Sequence, residues 1–187
     1  MLLVALVFGA ALLLVVVSAL LPRRVPVFVP RETVQVVPGV EDTVTIDARD
    51  PDRWRFFAFG GGSGLLRSSD TAGWDLGIRR FDVITSGGAL RLDAPQAFDS
   101  LTIAPAGGYR ATRFTPDTVN EALKHWYRYD FFAHLLRPAG GVYVLHTRRG
   151  EYVKLDILSY YCPGPEAGCL TFRYLVAAGP PANRRFR

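Results

Sequence analysis

The chain contains two cysteines, Cys162 and Cys169, whose spacing permits three kinds of chemistry. They bracket a short turn rich in Pro and Gly, between two segments that read as pairing strands. Facing positions of an antiparallel hairpin lie within reach of a disulfide, which is the pairing that we expect. A pair of reduced thiols and a metal site are the alternatives, although two cysteines without a third nearby ligand make a poor zinc site.

Three histidines, His125, His134 and His146, have the side chain best suited to bind iron or zinc. No two of them are spaced for one face of a helix, and the sequence lacks a His-Glu-x-x-His motif. We therefore predict no metal site. His134 and His146 are the two candidates for haem ligation.

Other groups that could act chemically form no recognisable constellation. The glycine-rich run Gly60–Gly64 fits neither a phosphate-binding loop nor a nucleophile elbow, and it predicts a flexible connection between strands. No pair of strand carboxylates is arranged as a catalytic acid and base, and we expect Asp75 to tie down a turn or to pair with Arg79 or Arg80. The sequence therefore predicts no catalytic residue and no enzyme.

The N-terminal segment Met1–Leu21 has no charged side chain. As a helix it would be roughly 31 Å long, close to the hydrocarbon thickness of a bilayer. Pro22 would end the helix, and Arg23 and Arg24 would lie among lipid headgroups. A cleaved signal peptide is the alternative, but it would have a basic region before the apolar run. We predict a transmembrane helix over residues 1–22.

The rest of the chain divides by composition into three parts. Residues 23–42 contain repeated prolines among valines, which predicts an extended, semi-rigid linker. Residues 43–178 have the alternation and turn residues of a mainly β, antiparallel domain. Residues 179–187 form a basic tail that we expect to be loose. The net charge of +5 is dispersed, which is typical of a solvated surface, so we predict no nucleic-acid binding.

Some elements of the β domain can be placed individually. Residues 142–161 predict a hairpin, in which Val153, Leu155 and Ile157 face one side. Residues 74–85 predict one long strand. An N-cap followed by proline at Thr115–Asp117, with apolar residues at helical spacing up to Trp126, predicts a short helix.

Two blocks of sequence motifs carry a family resemblance. Their members are Val44–Ala48, Trp54–Phe59 and Trp74–Val83, followed by Val142–Leu145, Gly150–Leu155, Ser159–Tyr161 and Leu170–Tyr174. In order and spacing they resemble the HmuY-like family, β-rich proteins that include bacterial haem-scavenging haemophores. The resemblance covers about residues 43–177, and it implies an all-β fold outside the cytoplasm.

The same resemblance implies a haem site that this sequence does not reproduce. Haem-binding members hold iron with side chains from the middle region, commonly two histidines, and residues 89–130 are short here. No histidine falls on a matching position, so we expect the fold without a bound cofactor. The arginines after the helix favour a cytoplasmic domain by the positive-inside rule, whereas the cysteines and the resemblance favour the periplasm, which we adopt.

These features predict a single-pass protein of the bacterial inner membrane with a periplasmic domain. The expected function is non-enzymatic: a structural accessory subunit of a larger membrane complex, such as a respiratory or photosynthetic assembly. Its partners would be integral membrane subunits and the lipid bilayer, and Ala5 and Gly9 are the expected helix-packing residues. The alternative is a membrane-tethered protein that binds haem or another small ligand.

Overall fold

The computed structural model describes residues 2–20, 25–60, 62–66, 72–93 and 97–186. Within them the chain forms one helix, α1 (Leu2–Leu20), and thirteen strands. In chain order the strands are β1 (Gln35–Val36), β2 (Asp42–Asp47), β3 (Arg55–Phe57), β4 (Gly62–Ser63), β5 (Leu76–Arg79), β6 (Asp82–Thr85), β7 (Gly88–Leu92), β8 (Arg110–Ala111), β9 (Tyr127–Asp130), β10 (Leu135–Pro138), β11 (Val142–His146), β12 (Tyr152–Cys162) and β13 (Glu166–Val176).

A six-stranded antiparallel sheet dominates the domain, with the strand order β2-β13-β12-β11-β7-β8. Strands β12 and β13 are the longest, at 11 residues each, and they lie side by side within it. In the predicted hairpin, Tyr143 lies opposite Leu155 and His146 opposite Tyr152. The prediction of a mainly β, antiparallel domain with this hairpin is therefore confirmed.

Both faces of the six-stranded sheet are covered. Val153, Leu155 and Ile157 on one face of β12 join the main core, which also takes in the three-stranded sheet β3-β5-β6. At the centre of this core Phe57 packs edge-to-face against Phe172, with ring centroids 5.7 Å apart. The predicted alternation is confirmed, because successive side chains of a strand point to opposite faces.

A second, smaller core lies on the opposite face of the sheet. Phe98 and Phe186 are buried there with Tyr152. The side chain of Lys154 enters this core, and its Nζ donates hydrogen bonds to the carbonyl oxygens of Phe98 at 2.8 Å and Leu101 at 3.2 Å. Burial lowers the pKa of Lys154.

The C-terminal tail is held in place up to Phe186, contrary to the expectation of a loose segment. Its backbone bonds to the 102–104 segment: Ala104 N to Arg184 O at 2.8 Å and Phe186 N to Thr102 O at 2.9 Å. The basic composition of the tail predicted a loose segment. The tail is nevertheless ordered, because its one large apolar side chain, Phe186, is buried.

The segment 74–85 is a hairpin and not one long strand. Strands β5 and β6 pair from Leu76 opposite Thr85 to Arg79 opposite Asp82. The turn between them lies at Arg80, which has a φ of 53°. No glycine or proline marks this turn, and a left-handed arginine is uncommon, so the sequence pattern missed it.

The predicted helix around residues 115–126 is wrong. Arg113 and Val119 exchange two backbone hydrogen bonds of 2.8 Å and close a loop, and a turn follows from Asn120. The side chain of Asn120 accepts a hydrogen bond from Ala122 N, so local polar contacts replace the helical ones. The apolar spacing instead buries Trp126, whose Nε1 donates to Phe81 O.

Residues 25–36 are packed into the domain. The sequence predicted an extended linker over residues 23–42 instead. Val34 and Val36 are buried in the main core, and β1 pairs with β4 inside the glycine-rich run. The hydroxyl of Ser159 donates to the carbonyl oxygen of Pro26. The valines between the prolines therefore serve as core residues.

The helix α1 carries apolar side chains that are exposed over Val4 and residues 6–17, where the structure describes them. Over the described part of the chain, no helix reaches the length and hydropathy that a membrane span requires. Pro22, Arg23 and Arg24, the predicted end of the span, lie outside the described residues. None of the described atoms lies within 4 Å of a Cβ built on Gly9.

The burial of residues 25–36 generates a stability prediction. Val34 is 2% exposed, and Val37 three residues later is 52% exposed. Val34→Ala removes two buried methyl groups and should lower the free energy of unfolding by about 2 kcal/mol. Val37→Ala is the matched control and should change it by less than about 0.5 kcal/mol. Urea denaturation of the purified chain measures both, and equal effects would mean that this segment is not part of the core.

Candidate functional site

The three histidines are in different environments and are not brought together. His134 is exposed at the turn between β9 and β10, and its Nδ1 lies 2.6 Å from the hydroxyl of Tyr129. His146 stacks on Tyr152, with ring centroids 4.5 Å apart. His125 is exposed just before β9.

His134 and His146 are attached to opposite ends of β12. His146 pairs with Tyr152, whereas the β9–β10 hairpin contacts Tyr161 through Leu136. Nine residues of strand separate these positions, which is about 30 Å at ~3.3 Å per residue. These two histidines therefore cannot ligate one iron.

The geometry tests whether the described residues fit a haem. His134 offers Nε2 beside the exposed rings of Phe131 and Phe132, and the Tyr129 hydroxyl fixes the orientation of its imidazole. A haem placed there would have one axial ligand and no covering wall from the described residues. The arrangement of His134 and His146 does not fit a two-histidine haem site.

A large polar cleft lies at the end of the six-stranded sheet near Asp47. Its volume is about 720 Å³. The residues that line it are Pro30, Arg31, Glu32, Asp47, Arg49, Asp50, Arg53, Trp54, Arg55 and Leu65. Four of these are arginines and three are acids, so the lining has an excess of positive charge.

Arg49 forms one wall of the cleft, and its charge is matched by carboxylates. Its guanidinium contacts Asp47 at 2.7 Å and Glu166 at 2.5 Å. The hydrogen bond from Arg49 holds the pKa of Asp47 below its usual range. Arg31, on the other side, forms an ion pair with Asp42 at 3.1 Å.

Arg55 differs from these two arginines. It is half-buried, and none of the described carboxylates lies within ion-pair distance of its guanidinium. Its Nε is buried without a hydrogen-bond partner among the described residues. Next to it, Trp54 is half-buried, with the guanidinium of Arg79 4.6 Å from the ring centroid. The charge of Arg55 also acts on Asp47 across the cleft, without a direct ion pair. The cleft thus combines a guanidinium that has no direct carboxylate partner among the described residues with an aromatic ring.

The wall of the cleft is fixed by a close approach of β13 to the 48–49 segment. Ala48 N donates to Gly168 O at 2.8 Å, and a Cβ on Gly168 would lie 2.9 Å from the Cα of Arg49. Gly168 also has a φ of 122°, which other residues rarely adopt. Only glycine fits here, and the position sits in a bulge of the β12–β13 ladder.

Cys162 and Cys169 form a disulfide beside this wall, with Cα atoms 4.9 Å apart, as predicted. They are not direct register partners, because Cys162 lies opposite Glu166 and Cys169 opposite Asp47. A carboxylate oxygen of Asp47 and both sulfurs lie within 4.8 Å of one another. Disulfide sulfurs are not thiolates, so this group does not make a metal site while the bond is intact.

Asp75 is the most buried of the strand carboxylates, and its partner was not the one expected. Its Oδ2 accepts hydrogen bonds from Phe59 N at 2.7 Å and from Arg149 at 2.5 Å, instead of from Arg79 or Arg80. Burial raises the pKa of Asp75, although both hydrogen bonds favour the charged form. The group links the β11–β12 turn to the three-stranded sheet, which is a structural role.

Comparison with known proteins places the fold. No family model matches the sequence, and no curated protein matches it. Among solved structures, a candidate lipoprotein from Bacteroides fragilis has 22% sequence identity and a TM-score of 0.64, over 81% of this chain and 97% of that one. The apo HmuY analog from Tannerella forsythia has 20% identity and a TM-score of 0.61, over 80% and 99%.

A third similar structure is a candidate HmuY-like haem-binding protein from Bacteroides vulgatus. It shares 22% identity with a TM-score of 0.58, over 76% of this chain and 96% of that chain. These likenesses show that the chain has an HmuY-like fold, so the resemblance seen in the sequence is confirmed. At this level of identity the shared property is the fold, and the ligand of each protein is decided by its own site.

The disulfide generates a second prediction. The double variant Cys162→Ser/Cys169→Ser should lose about 2 to 3 kcal/mol of stability, because the short loop is no longer closed in the unfolded chain. Denaturation of the wild type with and without reductant provides the control, and the reduced wild type should match the double variant. Thiol labelling of denatured, unreduced protein should find no free cysteine. Two labelled cysteines would contradict the pairing.

Proposed function

We propose that this chain is a membrane-tethered, extracytoplasmic binding protein that holds a small anionic ligand in the arginine-lined cleft. The observation that carries the proposal is Arg55, a half-buried guanidinium that lines a cleft of about 720 Å³ without a described carboxylate partner. A ligand oxygen would pair with the terminal nitrogens of this guanidinium. No residue of the cleft is arranged as a nucleophile with a base, so the proposed function is binding and not catalysis.

The chemistry of the lining limits the ligand. Guanidinium groups bind carboxylate and phosphate oxygens with paired hydrogen bonds, which favours ligands with either group. Trp54 adds an aromatic surface against which a flat or apolar part of the ligand can pack. Asp47 and Glu166 compensate Arg49, so a single ligand with a small negative charge suits the cleft better than a polyanion.

Two features support the location. The disulfide is typical of an oxidising compartment outside the cytoplasm. Within the described residues α1 falls short of the length and hydropathy of a span, so the proposal rests on the uncharged sequence of residues 1–21 as a whole, which as a helix would be roughly 31 Å long. A span by this helix, with a periplasmic domain, is the arrangement that we propose for the inner membrane.

The ligand proposal is tested with Arg55→Gln, which keeps a polar side chain and removes the charge. Isothermal titration uses benzoate and AMP as probes of the carboxylate and phosphate classes. Wild type should bind at least one of them saturably, and Arg55→Gln should weaken that binding by at least about tenfold, because a charged hydrogen bond is lost. Arg110→Gln, an exposed arginine outside the cleft, should leave the affinity unchanged.

Haemin, which also combines a flat ring with carboxylates, is the third probe. Binding that persists in Arg55→Gln and disappears in His134→Ala would replace the proposal with a haem site on the β9–β10 turn. Absence of saturable binding for all three probes would contradict a ligand-binding function in this cleft.

A second candidate function, the accessory subunit of a membrane complex, is favoured by a specific feature of α1. Gly9 is the glycine within α1, and the lack of a side chain there permits the close approach of another helix backbone. Ala5 lies four residues earlier on the same face of the helix, and its side chain is outside the described set. A small pair at this spacing is the pattern of a packed helix.

Gly9→Leu tests this second function. The substitution keeps the segment apolar, so membrane insertion should be retained, whereas packing at that face should be lost. Extraction in mild detergent should then recover the wild type with membrane proteins and Gly9→Leu without them. Ala11→Leu, about 200° around the helix, is the matched control and should behave as wild type. Equal recovery with a poly-Leu helix would show that α1 is only an anchor.

A further inference from the structure

The β9–β10 hairpin presents large apolar side chains to the surroundings at its tip. Phe131 is 71% exposed and Phe132 is 82% exposed. Their rings pack edge to face, with centroids 6.0 Å apart. Tyr129 on the same hairpin is also exposed. A cluster of exposed aromatic rings on a soluble domain commonly marks an interaction surface.

Polar contacts shape this tip independently of its aromatic rings. Asp130 accepts a hydrogen bond from Ala133 N at 3.1 Å and forms an ion pair with Arg137 at 2.9 Å. These contacts hold the pKa of Asp130 below its usual value, with the bond from Ala133 as the larger cause. The turn therefore has its own framework, and the two phenylalanines are not needed to fill the core.

The hairpin is attached where the chain from α1 reaches the domain. Leu136 N donates a hydrogen bond of 2.7 Å to the hydroxyl of Tyr161. Val27 forms a parallel bridge with that same Tyr161, and Pro26 bonds to Ser159 beside it. The segment that follows the apolar helix in sequence and strand β10 of the aromatic hairpin thus meet at one end of β12.

Helix α1 and the tip of the β9–β10 hairpin are both connected to the region of Tyr161 by short stretches of chain. Four residues lie between Leu20 and Val25, so the five steps from one Cα to the next span at most about 18 Å. Leu136 lies in the second residue pair from the turn, so the turn at residues 131–134 begins about two residue steps away, or roughly 7 Å along a strand. Both elements therefore lie within a short reach of Tyr161, so a membrane that contains α1 is within reach of the tip.

The charge of the hairpin fits a lipid surface. Residues 124–137 contain three cations, Lys124, Arg128 and Arg137, against one carboxylate, Asp130. Anionic phospholipid headgroups attract such a segment, and aromatic rings prefer the boundary between headgroups and acyl chains.

We propose that the tip of the β9–β10 hairpin inserts Phe131 and Phe132 into the headgroup region of the bilayer beside α1. The inference rests on the membrane tether in the proposed function and adds a second contact point. Two contacts fix the orientation of the domain on the membrane, whereas a helix alone leaves the domain free to rotate.

The experiment places a tryptophan at the tip of the full-length chain. Phe132→Trp is reconstituted into vesicles of phosphatidylcholine and phosphatidylglycerol, with and without lipids brominated near the headgroup. The emission of the added tryptophan, taken as the difference from wild type, should shift to shorter wavelength and lose intensity with brominated lipid. Thermal unfolding should match wild type, because the position is exposed.

Val40→Trp is the matched control. Val40 is exposed and lies next to Gly39, whose N–H bonds to the carbonyl oxygen of Val176. Val176 pairs with Val153, which is near the end of β12 that is far from Tyr161. Its tryptophan should show neither the shift nor the quenching. Flotation of the vesicles tests the tether separately, since a chain that fails to float has lost the anchor on which the inference rests.

A floating chain in which Trp emission of Phe132→Trp is no more quenched than that of Val40→Trp would overturn the inference. A shift of the Phe132→Trp emission to shorter wavelength in native membranes but not in lipid vesicles would also overturn it, since the partner would then be a membrane protein. Quenching of Phe132→Trp alone, in protein-free lipid vesicles, supports contact with the bilayer.

Discussion

The structure depends on the pairing of β12 with β13 at the centre of the six-stranded sheet. Both strands have 11 residues, and buried side chains on both faces, so each of the two cores is built on them. A shift of one residue in this register would exchange the side chains of the two cores. Val153 and Lys154, which are neighbours in sequence, would then change places, and an ammonium group would enter the aromatic core.

The candidate interaction sites lie at one end of the β12–β13 pair. Regular pairing ends in bulges near the disulfide, where the strands no longer stack side chains in order. Bulges of this kind often lie next to binding sites, because they aim side chains away from the sheet. The arginine-lined cleft lies at this end, and so do Tyr161 and the two elements that contact it. The other end is closed by the packed C-terminal tail.

An HmuY-like fold without a two-histidine site shows how fold and ligand separate. The aromatic and β-branched residues of the sheets specify the architecture, and many different surface residues are compatible with it. Here the histidines are spread over two ends of the domain, while four arginines collect around one cleft. The fold therefore does not decide what is bound, and the chemistry of the cleft depends on its own side chains.

The sequence by itself determined the features that arise from local pattern. Alternation placed β11, β12 and β13 and the faces of Val153, Leu155 and Ile157, and the position of the two cysteines predicted their bond, because neighbouring residues control strand period and turn chemistry. Tertiary structure alone decided the rest. The turn at Arg80 and the burial of Val34 and Trp126 depend on partners distant in the sequence. The cleft is the clearest case, since Arg31, Arg49 and Arg55 look like dispersed surface charges until the packing of three segments brings them together.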